Sequence, residues 1–424
     1  MTNEKKLIAL SDKQINHVLN LYSNGKINEA IKAIQALNKD YPNVPLLFNI
    51  LGACHQNLGN IEAAAKMFET AVSLKPDYAE AHNNRGIALK NLGQLEDSVN
   101  SFKTAISNLP NYLAAHYNLG NVLKLLGRVP EAIKSYEDAI AIKPDYAEAQ
   151  NNLGIALTHV GELDKAVESY KKAIESRPDY VAALNNLAIA LRKLKRFDEA
   201  LLIYQNLYKH NPNTDFIFGY ILQIKQDLCI WDDFSNQVAT LIKKIDNDEM
   251  VASPWTLLGL IDDPRLHKLA SKAFSIKKLS KESTLNKLDR HSKHKKIRVG
   301  YFSADFHNHA TMHLMAELFE CHDKDLFEVY AFSFGPNQQD YWRKRVYKSF
   351  DKFFDISSKS DLEISNLSRK LEVDIAIDLK GYTQDCRPGI FENYCAPLQI
   401  NYLGYPGTMG ADYYDYIVAD PIIV

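Results

Sequence analysis

The sequence predicts two architectures in series: a solenoid of paired helices, then an α/β lobe built on a mostly parallel sheet. Three observations carry this. Prolines fall at Pro42, Pro76, Pro110, Pro144, Pro178 and Pro212, each 34 residues after the last. Small residues keep the same phase. At Ile297 the helical period gives way to short apolar strands separated by helical stretches. A step of 34 residues is the tetratricopeptide length, in which each helix pair buries its apolar face only against its neighbours.

Composition sets the outer bounds. A chain of 424 residues, 46% hydrophobic and 24% charged, holds two or three domains with a real core. Lys+Arg of 50 against Asp+Glu of 52 leaves a net charge of −2, which offers no general affinity for nucleic acid or an anionic membrane. Cys54, Cys229, Cys321, Cys386 and Cys395 form no CxxC and leave an odd thiol, so a reduced compartment is expected. The start, MTNEKKLIALSDKQ, has no apolar segment of signal-peptide length. No run approaches the ~18 apolar residues that span a bilayer. The expectation is a soluble cytoplasmic protein that binds neither nucleic acid nor membrane.

Counting back from the prolines gives six repeats over residues 1–214, beginning near Ser11, Pro45, Ala79, Leu113, Ala147 and Val181. Small residues at Gly52, Gly86, Gly120, Gly154 and Ala188 mark where one helix must approach its partner closely. A second column, Ala30, Ala64, Ser98, Ala132, Ala166 and Ala200, has an apolar residue four further on (Ile34, Phe68, Phe102, Tyr136, Tyr170, Tyr204), which puts both on one helix face. Gly25, Gly59, Gly93, Gly127 and Gly161 fall at the turns. The first repeat, with Val18 and Leu37 at positions that favour small residues, reads as an end cap.

One polar column stands out on the first helix of each repeat: Asn84, Asn118, Asn152 and Asn186, with Asn16 in phase and Ile50 interrupting. A carboxamide carries two donors and an acceptor. Stacked at the roughly 10 Å spacing of packed helices, such amides can hold the backbone of an extended peptide. They can equally tie neighbouring repeats together, and the column alone leaves both readings open.

After Pro212 the register fails. Residues 215–296 still read as helical in FIFGYILQIKQDLCIW, FSNQVATLIKKI and HKLASKAFSIKKL, a connector ending in the basic LDRHSKHKKIR, which reads as exposed linker. Residues 297–424 form the α/β lobe. IRVGYFS (297–303), FEVYAFS (327–333), DIAIDLK (374–380), LQINYLG (398–404) and YIVAD (416–420) read as strands. Helical stretches near 309–322, 338–350, 360–372 and 388–395 lie between them. That alternation implies a doubly wound sheet with ligands beyond the carboxyl ends of its strands.

Those strand ends carry the chemistry-bearing residues. Asp305, His307, His309 and His313 crowd one strand-to-helix turn. A histidine there can serve as a general base toward a hydroxyl, or it can cap the helix start. His309 and His313 have metal-ligand spacing, but residue 310 is Ala and no third ligand is evident, so no metal is expected. Gly381-Tyr382-Thr383 and Gly404-Tyr405-Pro406-Gly407-Thr408 are turn-forming strings on the same edge that let backbone come close to a ligand.

The stretches IRVGYFSADFHNHATMHLMAELFE, DIAIDLKGYTQDCRPGIF and LQINYLGYPGTMGADYYDYIVAD, behind tetratricopeptide repeats, resemble the O-GlcNAc transferase/SPINDLY family, and PWTLLGLIDDP resembles its bacterial members. The resemblance implies a GT-B fold of two Rossmann-like lobes, of which 297–424 is the first. It implies transfer of a sugar, GlcNAc being the first choice, from a nucleotide sugar such as UDP-GlcNAc to Ser/Thr hydroxyls of proteins, with inversion and without metal or cofactor. It implies an asparagine-lined superhelix that guides the acceptor, which favours the peptide-holding reading of Asn84, Asn118, Asn152 and Asn186. By position, His309 matches the active-site histidine, as base or sugar contact. Lys380, Tyr382 and Thr383 match the loop beside the donor sugar, with Asp305 close by in the first motif, and Gly404 to Thr408 match the turn facing the cleft. Lys380 stands where the animal enzymes have Asn, which leaves the sugar open. Family members continue past IVADPIIV into a lobe with most nucleotide contacts, so residues 1–424 alone are expected to show little or no catalysis. The competing reading is a scaffold whose repeats recruit partner proteins beside a non-catalytic α/β domain.

Overall fold

The computed structural model describes residues 10–278, 285–291, 294–383 and 385–419. The opening segment 1–9, positions 292–293 of the basic stretch and the terminal 420–424, each used above, lie outside the described residues. The chain divides into two compact units, Met1–Leu194 and Lys195–Val424.

The first unit is a run of helix pairs: α1 (Asp12–Ser23) with α2 (Ile27–Asp40), α3 (Pro45–Asn57) with α4 (Ile61–Leu74), α5 (Ala79–Asn91) with α6 (Leu95–Asn108), α7 (Leu113–Leu125) with α8 (Val129–Ile142), α9 (Ala147–His159) with α10 (Leu163–Ser176), and then α11 (Val181–Lys193). Each proline of the 34-residue period follows just after the second helix of a pair, where it cannot continue the helix. Between paired helices the glycine column supplies the left-handed residue of a helix C-terminus, as at Gly59 (φ +78), with Asn60 N–H closing back onto His55 C=O.

The small column has a steric cause. A Cβ on Gly52, Gly86, Gly120 or Gly154 would stand 2.6, 2.7, 2.6 or 2.5 Å from the ring of Phe68, Phe102, Tyr136 or Tyr170 respectively. The four pairs from α3/α4 to α9/α10 therefore close with a buried aromatic ring laid on bare backbone, and each such ring contributes on the order of 1.5–3 kcal/mol by leaving water. Ser98, in the second small column, spends its hydroxyl on Gly86 C=O at 2.6 Å.

The second unit opens with α12 (Phe197–His210), α13 (Ile217–Asp227), α14 (Phe234–Asp246), α15 (Pro254–Leu258) and α16 (Pro264–Lys278). The α/β lobe follows: β1 (Ile297–Ser303), α17 (Ala310–Glu320), β2 (Phe327–Ser333), α18 (Tyr341–Tyr347), β3 (Lys352–Asp355), α19 (Asp361–Lys370), β4 (Ile375–Asp378), α20 (Gly389–Glu392), β5 (Leu398–Tyr402) and β6 (Tyr416–Val418). The six strands are all parallel in the order β3-β2-β1-β4-β5-β6. Alternate residues of β1 feed opposite cores. Val299 and Tyr301 pack with Met312, Met315 and Phe319 of α17, while Phe302 packs with Ile364 of α19 and Phe391 of α20. The lobe is doubly wound, as the alternation of strands and helices predicts.

Two details differ from the sequence reading. KFFD forms a strand, β3, that the sequence reading omits; only four residues long and flanked by charges, it borrows its register from β2. Strands β4 and β5 also stop earlier than their apolar runs, because Lys380, Gly404 and their neighbours turn away as loops. None of the five cysteines forms a disulfide among the described residues, and burial pushes the Cys54 thiol up to about 11. Among the described residues no helix is long and apolar enough to cross a membrane.

Replacing Gly120 by Ala should destabilise the protein by about 1–3 kcal/mol through the collision with Tyr136, despite a gain of up to about 1 kcal/mol in helix propensity. Denaturant unfolding measures it, and an unchanged or raised midpoint would show that the ring moves aside freely.

Candidate active site

Strand order decides where a site can form. From β1 the chain winds one way to β2 and β3, then returns to lay β4 on the other side, so the β1/β4 boundary is the topological switch point of the sheet. The loops that leave these two strands diverge there, at the place where sheets of this kind bind ligands in a crevice. Asp305 lies just beyond β1 and Lys380 just beyond β4, and both side chains are buried. Lys380 Nζ donates to Asp305 Oδ1 at 3.0 Å and Oδ2 at 2.9 Å. The two charges tie the loop after β1 to the loop after β4 across 75 residues of sequence.

His309 stands at the mouth of this pair. It is the N-cap of α17, with Nδ1 accepting from Thr311 N–H at 3.2 Å, and its side chain is 42% exposed. Nδ1 lies 3.6 Å from Asp305 Oδ2, and Thr311 Oγ1 fills the angle between them, 3.0 Å from Nδ1 and 3.4 Å from Oδ2. Lys380, Asp305, Thr311 and His309 therefore form one polar chain from the buried floor to the exposed ring. His313 turns aside, bonding Asn308 and packing on Trp342 with ring centroids 4.1 Å apart. Among the described residues no three His, Cys, Asp or Glu side chains converge as a metal site.

Beneath Lys380 the floor is fixed by Asp378. Its Oδ1 accepts from Lys380 N–H at 2.8 Å and its Oδ2 from Tyr414 Oη at 2.5 Å. Burial pushes the Asp378 carboxyl above the usual range, opposed by the Tyr414 hydroxyl and the backbone N–H groups of Lys380 and Gly381.

The two glycine-bearing loops divide their labour. Gly404 is required because a Cβ there would collide with Leu379 C=O, so the two loops meet backbone to backbone. Tyr382 and Tyr405 are buried: Tyr382 Oη donates to Met409 C=O at 2.7 Å, and both rings pack in a cluster with Phe274 of α16. Burial raises both phenols, Tyr405 to about 12. Thr383 bonds Lys380 C=O at 2.9 Å. Pro406, Gly407 and Thr408 line a cavity of about 1100 Å³ with His267, Lys268 and Lys272 of α16; its lining includes neither His309 nor Lys380. Asn401 also lines it, buried and with no hydrogen-bond partner for its amide among the described residues. Neither Thr311 nor Asn401 was singled out by sequence. Thr311 was legible only as a residue two positions past a candidate cap, and Asn401 sits inside an apolar strand reading.

In the first unit the asparagine column makes bonds between repeats. The Nδ2 of Asn84, Asn118 and Asn186 donates to the Oδ1 of Asn49, Asn83 and Asn151 at 3.0, 3.1 and 3.0 Å, and Asn152 donates to Asn121 and to Tyr117 Oη. All four remain part-exposed. Asn84, Asn118 and Asn186 each spend one amide proton on the tie and keep a second, while Asn152 spends both; all four keep carbonyl capacity over.

Lys380→Met should cost about 3–5 kcal/mol in unfolding experiments, because it strands the Asp305 carboxylate out of water. Adding Asp305→Asn should recover most of that loss. A single variant as stable as the wild type would show that the pair does not hold the crevice.

Residues 267–424 match the family model Glycosyl transferase family 41. Tetratricopeptide models match 55–93, 79–112, 112–179 and 145–210. The chain is 30% identical over 219 residues to the probable UDP-N-acetylglucosamine–peptide N-acetylglucosaminyltransferase SEC of Arabidopsis thaliana, a match covering 48% of this chain and 22% of that protein. It is 28% identical over 213 residues to the corresponding enzyme of Caenorhabditis elegans, covering 46% and 18%. The match to Arabidopsis thaliana SPINDLY is 28% over 129 residues, covering 30% and 14%. Among solved structures, a mutant of Thermobaculum terrenum O-GlcNAc transferase aligns over 81% of this chain and 53% of its own, with 22% identity and a TM-score of 0.35. The matched regions thus span less than a quarter of the length of these curated relatives. Tetratricopeptide repeats thus stand ahead of a region that matches glycosyltransferase family 41, and over these parts the chain is similar to O-GlcNAc transferase and SPINDLY proteins.

Proposed function

We propose that these residues are the acceptor-binding solenoid and first catalytic lobe of a protein O-glycosyltransferase. The reaction moves a sugar, GlcNAc first among the candidates, from a nucleotide sugar such as UDP-GlcNAc to a Ser or Thr hydroxyl, with inversion. The observation that carries the reading is the polar chain Lys380–Asp305–Thr311–His309, which rises from a buried ion pair to an exposed imidazole at the switch point of a parallel sheet. A doubly wound sheet binds its ligand at that point, and the family match ends on the same lobe.

In this reading His309 contacts the reacting groups, and Asp305 and Lys380 hold the wall it stands on. Thr383 and the turn Gly404 to Thr408 shape the neighbouring edge, with Tyr382 and Tyr405 packed beneath. The imidazole is the group whose removal should be felt most. His309→Asn keeps an acceptor for Thr311 N–H, so the helix cap survives. In the gene product that carries these residues, this variant should fall by about 10²–10³ in turnover of radiolabelled sugar onto protein, with its thermal midpoint little changed. Wild-type turnover in the variant, or no transfer from any nucleotide sugar in a panel, would overturn the assignment.

The repeats supply the acceptor site. Asn84, Asn118, Asn152 and Asn186 each keep hydrogen-bonding capacity beyond the tie to the preceding repeat, enough to hold the backbone of an extended acceptor. Replacing all four by Ala should abolish capture of acceptor polypeptide and lower stability by about 1 kcal/mol per lost tie. If stability falls while capture survives, the asparagines serve only to join repeats.

A further inference from the structure

One column on the first helices of the repeats carries charge that nothing in its own unit answers. At the 34-residue step from Tyr22 it reads Gln56, Lys90, Lys124, Thr158 and Arg192. Its first members show which way it faces: Tyr22 and Gln56 line one cavity of about 380 Å³ together with Asn49 and Asn84. Gln56 comes seven residues after Asn49, which sets both on one face of α3. Lys90 stands in the same relation to Asn83 on α5, and Lys124 to Tyr117 on α7. The two lysines therefore look onto the face that carries the asparagine column.

Lys90 and Lys124 are part-buried, and neither ammonium makes a hydrogen bond or ion pair among the described residues. Burial holds the Lys124 ammonium below its usual range, with no carboxylate to offset it. Other cations of this unit are answered: Lys134 by Asp138, Lys165 by Glu162, and Arg128 by Glu96 and Glu131. The nearby acids are spoken for as well. Glu80, which lines the cavity, accepts from Asn49 Nδ2 at 3.4 Å, and Glu148, in phase with it, bonds Arg177. Glu80 also precedes Lys90 by ten residues, about 15 Å along α5. A lysine in the last turn of a helix complements the macrodipole. The fold does not require one there, because the same position is Gln56 in α3 and Thr158 in α9.

We propose that Lys90 and Lys124 select acidic acceptors, each receiving the carboxylate of an Asp or Glu side chain from an extended polypeptide whose backbone the asparagines hold. This rests on reading the repeats as the acceptor site. An ammonium already stripped of part of its water gives up less on meeting a carboxylate. The repeat geometry also sets a spacing. Helices α5 and α7 touch directly, and packed helices stand roughly 10 Å apart. An extended chain advances about 3.1–3.4 Å per residue, so the two carboxylates stand three residues apart. A polyproline-like backbone, with three residues to the turn, points residues i and i+3 to the same side.

The test is peptide binding to the chain itself, read by fluorescence anisotropy. The probes are short fluorescein-labelled peptides of Ser, Thr, Val and Ala that differ only at two positions three apart, filled by Glu, by Gln or by Lys. At low salt the Glu peptide should bind about 5–10-fold tighter than the Gln peptide, with the Lys peptide weaker still. The advantage should vanish at about 1 M salt, where charges are screened within about 3 Å. Placing the two Glu side by side should cost most of the gain, and an undiminished affinity there would overturn the spacing. Lys90→Gln combined with Lys124→Gln installs the side chain that α3 carries at this position. It should equalise the Glu and Gln peptides with the thermal midpoint little changed, and Lys90→Glu with Lys124→Glu should turn the preference toward the Lys peptide. A Glu peptide that binds no better than the Gln peptide, or that keeps its advantage in the Gln-substituted chain, overturns the inference. Binding without charge preference that is lost when the four asparagines become Ala sinks this inference alone and leaves the acceptor site standing. Failure of every peptide to bind sinks both.

Discussion

Two opposite charges taken out of water can persist only together, and Asp305 and Lys380 are buried side by side. Their union is the constraint on which the α/β lobe's working edge depends. It pins the loop leaving β1 to the loop leaving β4, the two strands between which the sheet reverses its winding. Everything exposed at that edge inherits its placement from this pin. Thr311 reaches Asp305 from the first turn of α17, His309 leans on Thr311, and Asp378 below is held by Tyr414 from a loop before β6. A crevice lined by flexible loops would present an imidazole in many orientations. Here the ring is tethered by its own helix, and the helix by a carboxylate that cannot move without exposing an ammonium.

The solenoid solves its packing differently. Among the described residues of the first unit no Asp, Glu, Lys or Arg is buried; instead a ring rests on glycine backbone, and the same steric fit recurs from α3 to α10. The polar work is done at the seams, where asparagines bond across successive repeats. The two roles considered for these asparagines from sequence are thus compatible on stereochemical grounds, since a tie uses only part of an amide's capacity.

How much was legible in the sequence follows from how local each cause is. The repeat boundaries were readable because proline and glycine act within a few residues of where they stand: helix starts at Pro45, Ala79, Leu113, Ala147 and Val181 coincide with the expected ones. The doubly wound sheet was readable from alternation, but β3 was not, because a four-residue strand is defined by its partner. The candidate site was readable as a set of strand ends, not as a constellation. Nothing in the spacing says that Lys380 and Asp305 bond, as they lie 75 residues apart. Nor does it say that Tyr382 and Tyr405 turn inward, which depends on Phe274 arriving from α16. His309 was open between cap and chemistry, and its hydrogen bond to Thr311 makes it a cap whatever else it does.

The seams between repeats have a mechanical consequence. Among the described residues, helices of the first unit pack mainly against their neighbours in sequence order. Such an assembly behaves as a coil spring. A change of a degree or so at each seam adds up over successive repeats to a change in pitch, while the aromatic-on-glycine closures inside each repeat stay shut. Asparagine ties of about 3 Å are suited to this compliance, because a side-chain amide can swing through small angles and keep its partner. Stiffness is thus concentrated inside the repeats and elasticity between them.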